Sequence, residues 1–531
     1  MAVCMLLEAP RGAGPIESKA GSGICTAFLK RWDGRPIPGC CWIRSWIMRL
    51  YFMQPICGMP WWKMNDRVEE RGFDRTLVEG PILKAVWKLA WPTMLQNILA
   101  GLQGIIDHTM VGHLVGYVGN AAIGVSWQIF LVVVVFVSSL YSGMGVMVAR
   151  FAGANEKQKV NRVVYQALLT SILLACGILA PLGYMLAPRL LDLVHAAPAV
   201  KAEALPYLRI MFVFSIGKLL FFMLGGALRA AGDAHTPLRL GVGMTVLNII
   251  FNVILIPGLG PLPAFGTTGA AIGTVMAAGL MGLAGFYLLF SGKLVVNLSF
   301  KQKLLPDLRV IAALFRFGLP TGFQGIAVNT AGVLLLRFIG SLPQSAAAQA
   351  AYTVGYTELF SLITWTSVGL LGATAAVAGQ NLGAGKPERT KKAVHAAAKI
   401  GLTLATGIGI FYFMWPEFFY GIFGLARNPE VLKFGVQLLR YLSISGLFIT
   451  IALTYTGGLQ GTGDTRSPMY ISIISQIIIP IGLCYFFQGT RGLTASIIWL
   501  AIVIGHFFRF VLSVLVFNRG KWAKIKVEIA Q

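Results

Sequence analysis

From about residue 80 to residue 517 the chain is a succession of apolar stretches, each roughly 20 residues long or longer, with short polar connections between them. Helical stretches of that length match the thickness of a bilayer. The pattern predicts twelve spans, at about 87–112, 119–149, 163–186, 204–228, 238–257, 266–291, 310–340, 346–378, 394–415, 436–459, 468–487 and 492–517. The strands of a membrane barrel would be about half as long and would alternate apolar with polar positions. The first span departs from plain apolarity. In LAWPTMLQNILAGLQGIIDHTMVG, Leu89 to Gly112, the polar residues Thr93, Gln96, Asn97, Gln103 and Asp107 recur at three-, four- and seven-residue steps, which makes one stripe on a helix. Pro92 removes one backbone hydrogen bond, and Gly101 and Gly104 lower stiffness, so a hinge is expected there. A carboxylate at the bilayer centre costs roughly 2.5–3.5 kcal/mol on insertion scales, so Asp107 should face a cavity or a partner, not lipid.

Composition agrees with a membrane protein. Of 531 residues 56% are hydrophobic and only 12% charged, whereas a soluble chain carries about 25% charged residues. The mean hydropathy is +0.72. The formal net charge of +24 does not point to nucleic acid, because of where the charge sits. Twelve Lys and Arg precede residue 85, and most of the rest lie in connections after even-numbered spans, such as Arg150, Arg229, Lys303, Lys386, Arg389 and Arg466. That bias puts those connections and both termini in the cytoplasm, as an even span count requires. The expected location is the plasma (inner) membrane. No secretory-leader pattern opens the chain. The seven cysteines and six histidines show no zinc spacing and no disulfide framework, so neither a metal nor another cofactor is expected.

Residues 1–80 mix Gly, Pro, Arg, Cys and Trp without helical periodicity and read as a poorly ordered cytoplasmic extension. The run MNDRVEERGF resembles an ordinary N-terminus, so Met64 or Met59 is expected to be the true start. Residues 81–300 hold spans 1–6, residues 301–517 spans 7–12, and residues 518–531 a basic cytoplasmic tail. The two halves repeat each other. Pro92-Thr93 matches Pro320-Thr321 and Gly112 matches Gly340; GGALRAAGDAHTP (225–237) matches GGLQGTGDTRSP (457–468), and FAGANEKQ (151–158) falls near NLGAGKPE (381–388). Six spans per half give both the same orientation. The expected architecture is therefore an all-α integral membrane protein with two six-helix lobes, related by a pseudo-two-fold axis along the membrane normal.

These motifs resemble the multidrug and toxic compound extrusion (MATE) family over residues 80–517: LAWP…GIIDHTMVGHL, GMGVMVARFAGAN, LRAAGDAHTP, AVAGQNLGAGKPERTKKA and LQGTGDTRSP. The resemblance implies secondary active efflux of cationic or amphipathic small molecules, above all organic cations, in exchange for H⁺ or Na⁺. It also implies that Asp107 matches the family's first-span aspartate, implicated in cation coupling. Asn248 fits the family's N-lobe cation site, Asn252 stands where an aspartate is common, and Thr274 matches a further hydroxyl of that site. With one carboxylate fewer, H⁺ is favoured over Na⁺, although Na⁺ at Asp107 stays open. Val328 and Ile449 replace the acidic ligands that some members carry in the second half.

Asp107 and Glu358 are the two acidic side chains inside the expected spans. Glu358 has three readings: neutralising Arg337, lining the cavity, or binding a substrate cation. Gln96, Gln103 and Glu358 are the candidate substrate contacts. Lys218, Arg337, His506 and Arg509 read as snorkelling or structurally paired. For Asp107 the competing reading is a structural carboxyl bonded to neighbouring helices, and for the asparagines helix–helix hydrogen bonding. The nearest alternative function is a lipid-linked oligosaccharide flippase of the same superfamily, disfavoured by the scarcity of cationic residues in the spans. A membrane-embedded enzyme is more remote, since no HExxH, nucleophile elbow or P-loop occurs. A monomer is expected.

Overall fold

The computed structural model describes residues 72–299, 305–425, 428–490 and 492–528, and the regular structure among them is helical. In order these are α1 (Ile82–Leu114), α2 (Tyr117–Gly153), α3 (Lys157–Leu193), α4 (Pro198–Val213) and α5 (Ser215–Ala231). They continue as α6 (His235–Leu255), α7 (Gly266–Phe290), α8 (Leu308–Gly340), α9 (Ser345–Gly383) and α10 (Pro387–Met414). The last are α11 (Pro429–Thr462), α12 (Arg466–Thr490) and α13 (Ala495–Asn518). Among the described residues nine helices are long and apolar enough to cross a membrane, ten if α4 and α5, bent by 52° at Phe214, count as one span. The protein is thus an all-α, multi-pass membrane protein. Several helices overrun the predicted spans at both ends, because hydropathy marks the apolar length whereas backbone hydrogen bonding continues to the cap.

The repeated Gly-Asp pairs turn out to be helix junctions. Gly232 ends α5 at φ 104° and Gly463 ends α11 at φ 101°, a left-handed conformation that a side chain strains. Each following aspartate caps the next helix. Asp233 Oδ1 accepts the backbone N–H groups of His235 and Thr236 at 3.0 Å, and Asp464 Oδ1 accepts that of Ser467 at 3.1 Å.

Between the halves, helices cross at glycines. Gly143 of α2 lies against the Leu314 carbonyl of α8, and Gly318 of α8 against that of Ser139. Gly153 meets the Gln380 carbonyl, and Gly383 meets that of Arg150. A Cβ at any of the four would collide with backbone, the close approach that small residues permit in membrane helix pairs. Each half also has its own apolar core: Val111, Ile129, Phe130, Leu208 and Phe212 in the first, Phe338, Tyr352, Phe360, Leu438 and Trp499 in the second.

Residues 72–80, placed by the sequence in a poorly ordered extension, are held in place. Their carbonyls accept from the second half: Leu77 from Asn381 Nδ2 at 3.2 Å, Val78 from Lys386 Nζ at 3.1 Å, and Gly80 from Arg389. Burial pushes the Asp74 carboxyl up, but hydrogen bonds from Lys88 and Thr76 outweigh it and leave the group below its ordinary value. The basic tail is packed as well. Trp522 is fully buried, stacks on Phe517 with ring centroids 5.0 Å apart, and donates Nε1–H to the Phe517 carbonyl at 2.7 Å. Arg150 donates to the Ile525 carbonyl at 3.1 Å. Met59 and Met64 lie outside the described residues.

Candidate functional site

The polar stripe of α1 divides into two environments. Up to about Met94 the helix packs on the second half: Ala85, Val86, Leu89, Ala90 and Met94 share an apolar cluster with Leu370, Ala373 and Val377 of α9. Gly369 of α9 comes so close that a Cβ there would stand 2.5 Å from the Met94 Cα. Beyond Met94 the helix turns its polar groups to α5 and α6, while Gly101 still meets Trp365 of α9. Gln96 Oε1 accepts from Arg229 Nη1 at 2.9 Å, and Gln103 Oε1 accepts from Thr245 Oγ1 at 3.2 Å. α1 therefore bridges the halves.

At the far end of the stripe four predicted residues come together. Asn252 Nδ2 donates to Asp107 Oδ1 at 2.7 Å and lies 3.4 Å from Asn248 Oδ1, and Asn248 Nδ2 donates to Thr274 Oγ1 at 3.1 Å. Asp107 and Thr274 are half-buried, whereas both asparagines are fully buried. The local sequence builds this chain directly. Asn248 and Asn252 are one turn apart on α6, and α7 carries Gly269 and Gly273 at the four-residue spacing that lets two helices touch. A Cβ at Gly269 would stand 2.7 Å from the Leu255 carbonyl oxygen, and one at Gly273 would strike Asn252 Oδ1. Those glycines seat Thr274 beside Asn248.

Asn252 Oδ1 is buried with no hydrogen-bond donor. An unpaired acceptor beside a carboxylate is the donor set a proton or a hard cation with oxygen ligands would use. Among the described residues no group of three or more His, Cys, Asp or Glu is arranged to hold a metal ion.

Of the two sequence readings of Lys218, snorkelling or structural pairing, the geometry has the second. Its ammonium does not snorkel to the surface; it lies over the ring of Trp127, 4.6 Å from the centroid, with Phe130 at 5.5 Å. It is within electrostatic reach of Asp107, without a direct ion pair among the described residues, and so is the ring of Tyr207. A lysine inside an apolar helix is itself a signal, but nothing in one sequence tells that its tip turns inward. The remaining candidates divide. Gly101 is no free hinge, since a Cβ there would enter the Trp365 ring, whereas Gly104 has nothing nearby. α1 stays helical through buried Pro92. Glu358 is half-buried on α9 and pairs with no cation among the described residues, and Arg337 is exposed, so the ion pair between them is not formed.

A cavity of about 370 Å³ lies between the halves, lined among others by Tyr141, Ser142, Arg229, Thr321 and Gln460. Gln96, Gln103 and Glu358 do not line it; Gln96 instead holds its one charged residue, Arg229.

The MatE family model matches residues 92–254 and again 320–486, once in each half. A probable multidrug resistance protein NorM of Thermotoga maritima is 27% identical over 460 residues, covering 83% of this chain and 94% of that protein. Multidrug resistance protein PmpM of Pseudomonas aeruginosa is 25% identical over 434 residues, covering 80% and 88%. Among solved structures, an outward-facing multidrug resistance MATE family transporter of the MOP superfamily superposes with a TM-score of 0.79 at 22% identity, over 86% of this chain and all of that one. A MOP superfamily transporter from Pyrococcus furiosus, described as having a binding pocket of reverse polarity, gives the same values. At that identity the solved structures speak for the fold. With both halves matched by its model, the chain belongs to the MatE family, a family of multi-pass membrane transporters and not of enzymes.

Proposed function

We propose that the protein is a secondary antiporter that exports cationic or amphipathic small molecules in exchange for H⁺ or Na⁺, coupled at Asp107. The observation that carries this reading is the chain Asp107–Asn252–Asn248–Thr274, in which Asn252 Oδ1 is an unpaired acceptor beside the carboxylate. The names of the relatives, multidrug resistance proteins, support the substrate class. In this reading α1 and α2 complete twelve spans, α4 with α5 forming one. Spans 1–6 (residues 81–300) and 7–12 (residues 301–517) are two lobes about a pseudo-two-fold axis. Both termini are cytoplasmic, and the antiporter works as a monomer in the inner membrane.

Asp107 and an organic cation attract each other as long as the carboxylate is ionised. When a lone pair of Asp107 takes up a proton, or Na⁺ binds between it and Asn252 Oδ1, that attraction is lost and the substrate is released. Because the first part of α1 is clamped to α9, a repacking of its second part against α6 is felt in both lobes. The glycine crossings at Gly153 and Gly383 lie where the charge bias puts the cytoplasm, so they read as the inner seal of an outward-facing state. H⁺ is the favoured ion, since the site holds one carboxylate. The flippase reading is weaker, because the cavity between the halves carries Arg229 as its single charged residue.

The test is transport in proteoliposomes. A fluorescent cationic dye should move against its gradient under an imposed pH gradient, or failing that under a Na⁺ gradient. A protein that responds to neither is not this antiporter.

A further inference from the structure

Outside the Asp107 site, the most unusual buried group is Arg509 on α13. It is 5% exposed, its Nε has no hydrogen-bond partner, and the guanidinium forms no ion pair or hydrogen bond among the described residues. A cation at membrane depth is expensive and normally has a partner. Arg509 also has company. Trp499, His506, Arg509 and Ser513 fall on one face of α13, at steps of seven, three and four residues. The Trp499 Nε1–H and the Ser513 hydroxyl are buried and equally unpaired. These groups donate hydrogen bonds, and nothing on the face accepts them.

The surroundings hold the donors still and supply no negative charge. His506 Nδ1 is 2.5 Å from Ser445 Oγ of α11, and its ring stacks on Phe360 at 5.9 Å. Tyr356 of α9, an electrostatic neighbour of Arg509, is stacked on Tyr352, which stacks in turn on Trp499. α12 turns Ser475 and Gln476 inward. Neither α8, α12 nor α13 contains an acidic residue. α11 has only Glu430, in its first turn, and Glu358 of α9 makes no ion pair among the described residues. The arrangement lacks one acceptor of single negative charge.

We propose that the Arg509 face of α13, with the hydroxyl of Ser513 and the ring of Tyr356, binds a monovalent anionic group. A free halide and the carboxylate of an amphipathic molecule share that chemistry. Either one would accept from the guanidinium and remove the cost of its burial. The site belongs to the second half and does not depend on ion coupling at Asp107.

The experiment uses the full chain purified in detergent, melted in chloride, bromide, octanoate or, as the reference, gluconate, whose hydrated polyhydroxyl chain keeps its carboxylate out of a buried site, all at equal ionic strength. A ligand that binds only the folded protein raises the melting temperature in a saturable way. Wild-type protein should gain a few degrees over gluconate, and Arg509→Gln should gain none. Should Arg509→Gln fail to fold, Ser513→Ala serves instead, with a weaker saturable response. A response to the halides identifies a free anion, and one to octanoate alone identifies a carboxylate headgroup. Asp107→Asn should respond as wild type does, which separates this site from the coupling reading. Identical melting of wild type in all four salts would overturn the proposal, as would an undiminished response in Arg509→Gln or, where that variant does not fold, in Ser513→Ala.

Discussion

The interiors of the two halves share a frame and differ in charge. Both have a left-handed glycine and a capping aspartate at the same junction, Gly232-Asp233 and Gly463-Asp464. Both offer a glycine to the other half's backbone, Gly153 and Gly383. Inside that frame the first half buries a carboxylate served by two asparagines and a threonine, with Lys218 as a nearby cation. The second half buries a guanidinium and an imidazole, and no acid among the described residues engages them. At the position that repeats Asp107 it has Leu335, 5% exposed within an apolar cluster. Backbone geometry tolerates no change at the crossings and caps, so these repeat. Buried polar chemistry is needed at one place for each task, so it does not.

The strongest way to break this contrast is to move the acid. Leu335→Asp should cost roughly 2.5–3.5 kcal/mol, because no amide stands ready to meet it, and lower both yield and melting temperature. Combined with Asp107→Asn it should not bring coupled transport back, as measured in proteoliposomes. Next comes the amide that serves the carboxylate. Asn252→Ala removes the 2.7 Å hydrogen bond to Asp107. At about 0.6–1.7 kcal/mol for such a bond between membrane helices, losing a donor to the ionised carboxylate should raise the apparent affinity for H⁺ roughly 3- to 18-fold, whereas affinity for Na⁺, which would lose Asn252 Oδ1 as a ligand, should fall. The smallest effect sharpens the account of charge in the first half. Lys218→Gln takes a positive charge away from the neighbourhood of Asp107, and at about 1 kcal/mol for a charge interaction across a partly polar interior, cationic dyes should bind about fivefold more tightly by equilibrium titration.

Much of this was legible in the chain. Asn248 and Asn252 could be paired from their four-residue spacing, and Thr274 followed from the GAAIGT run and the resemblance, because a helix face is a property of spacing. The junctions were visible as repeated Gly-Asp pairs, though not their job as caps. What stayed hidden depended on tertiary approach. Gly101 looks like a flexible point until Trp365 is packed against it. The direction of the Lys218 side chain depends on Trp127 and Phe130, which come from another helix. The docking of residues 72–80 onto Asn381, Lys386 and Arg389 uses backbone carbonyls, which no residue pattern announces.

The central claim is that coupling runs through the acid of the first half and not through that of the second. It is tested most directly by driving dye transport in proteoliposomes with a pH gradient and with a Na⁺ gradient, for wild type, Asp107→Asn and Glu358→Gln. The account predicts that Glu358→Gln follows the driving ion within about twofold of wild type, whereas folded Asp107→Asn follows neither ion. Wild-type coupling retained in Asp107→Asn would contradict it.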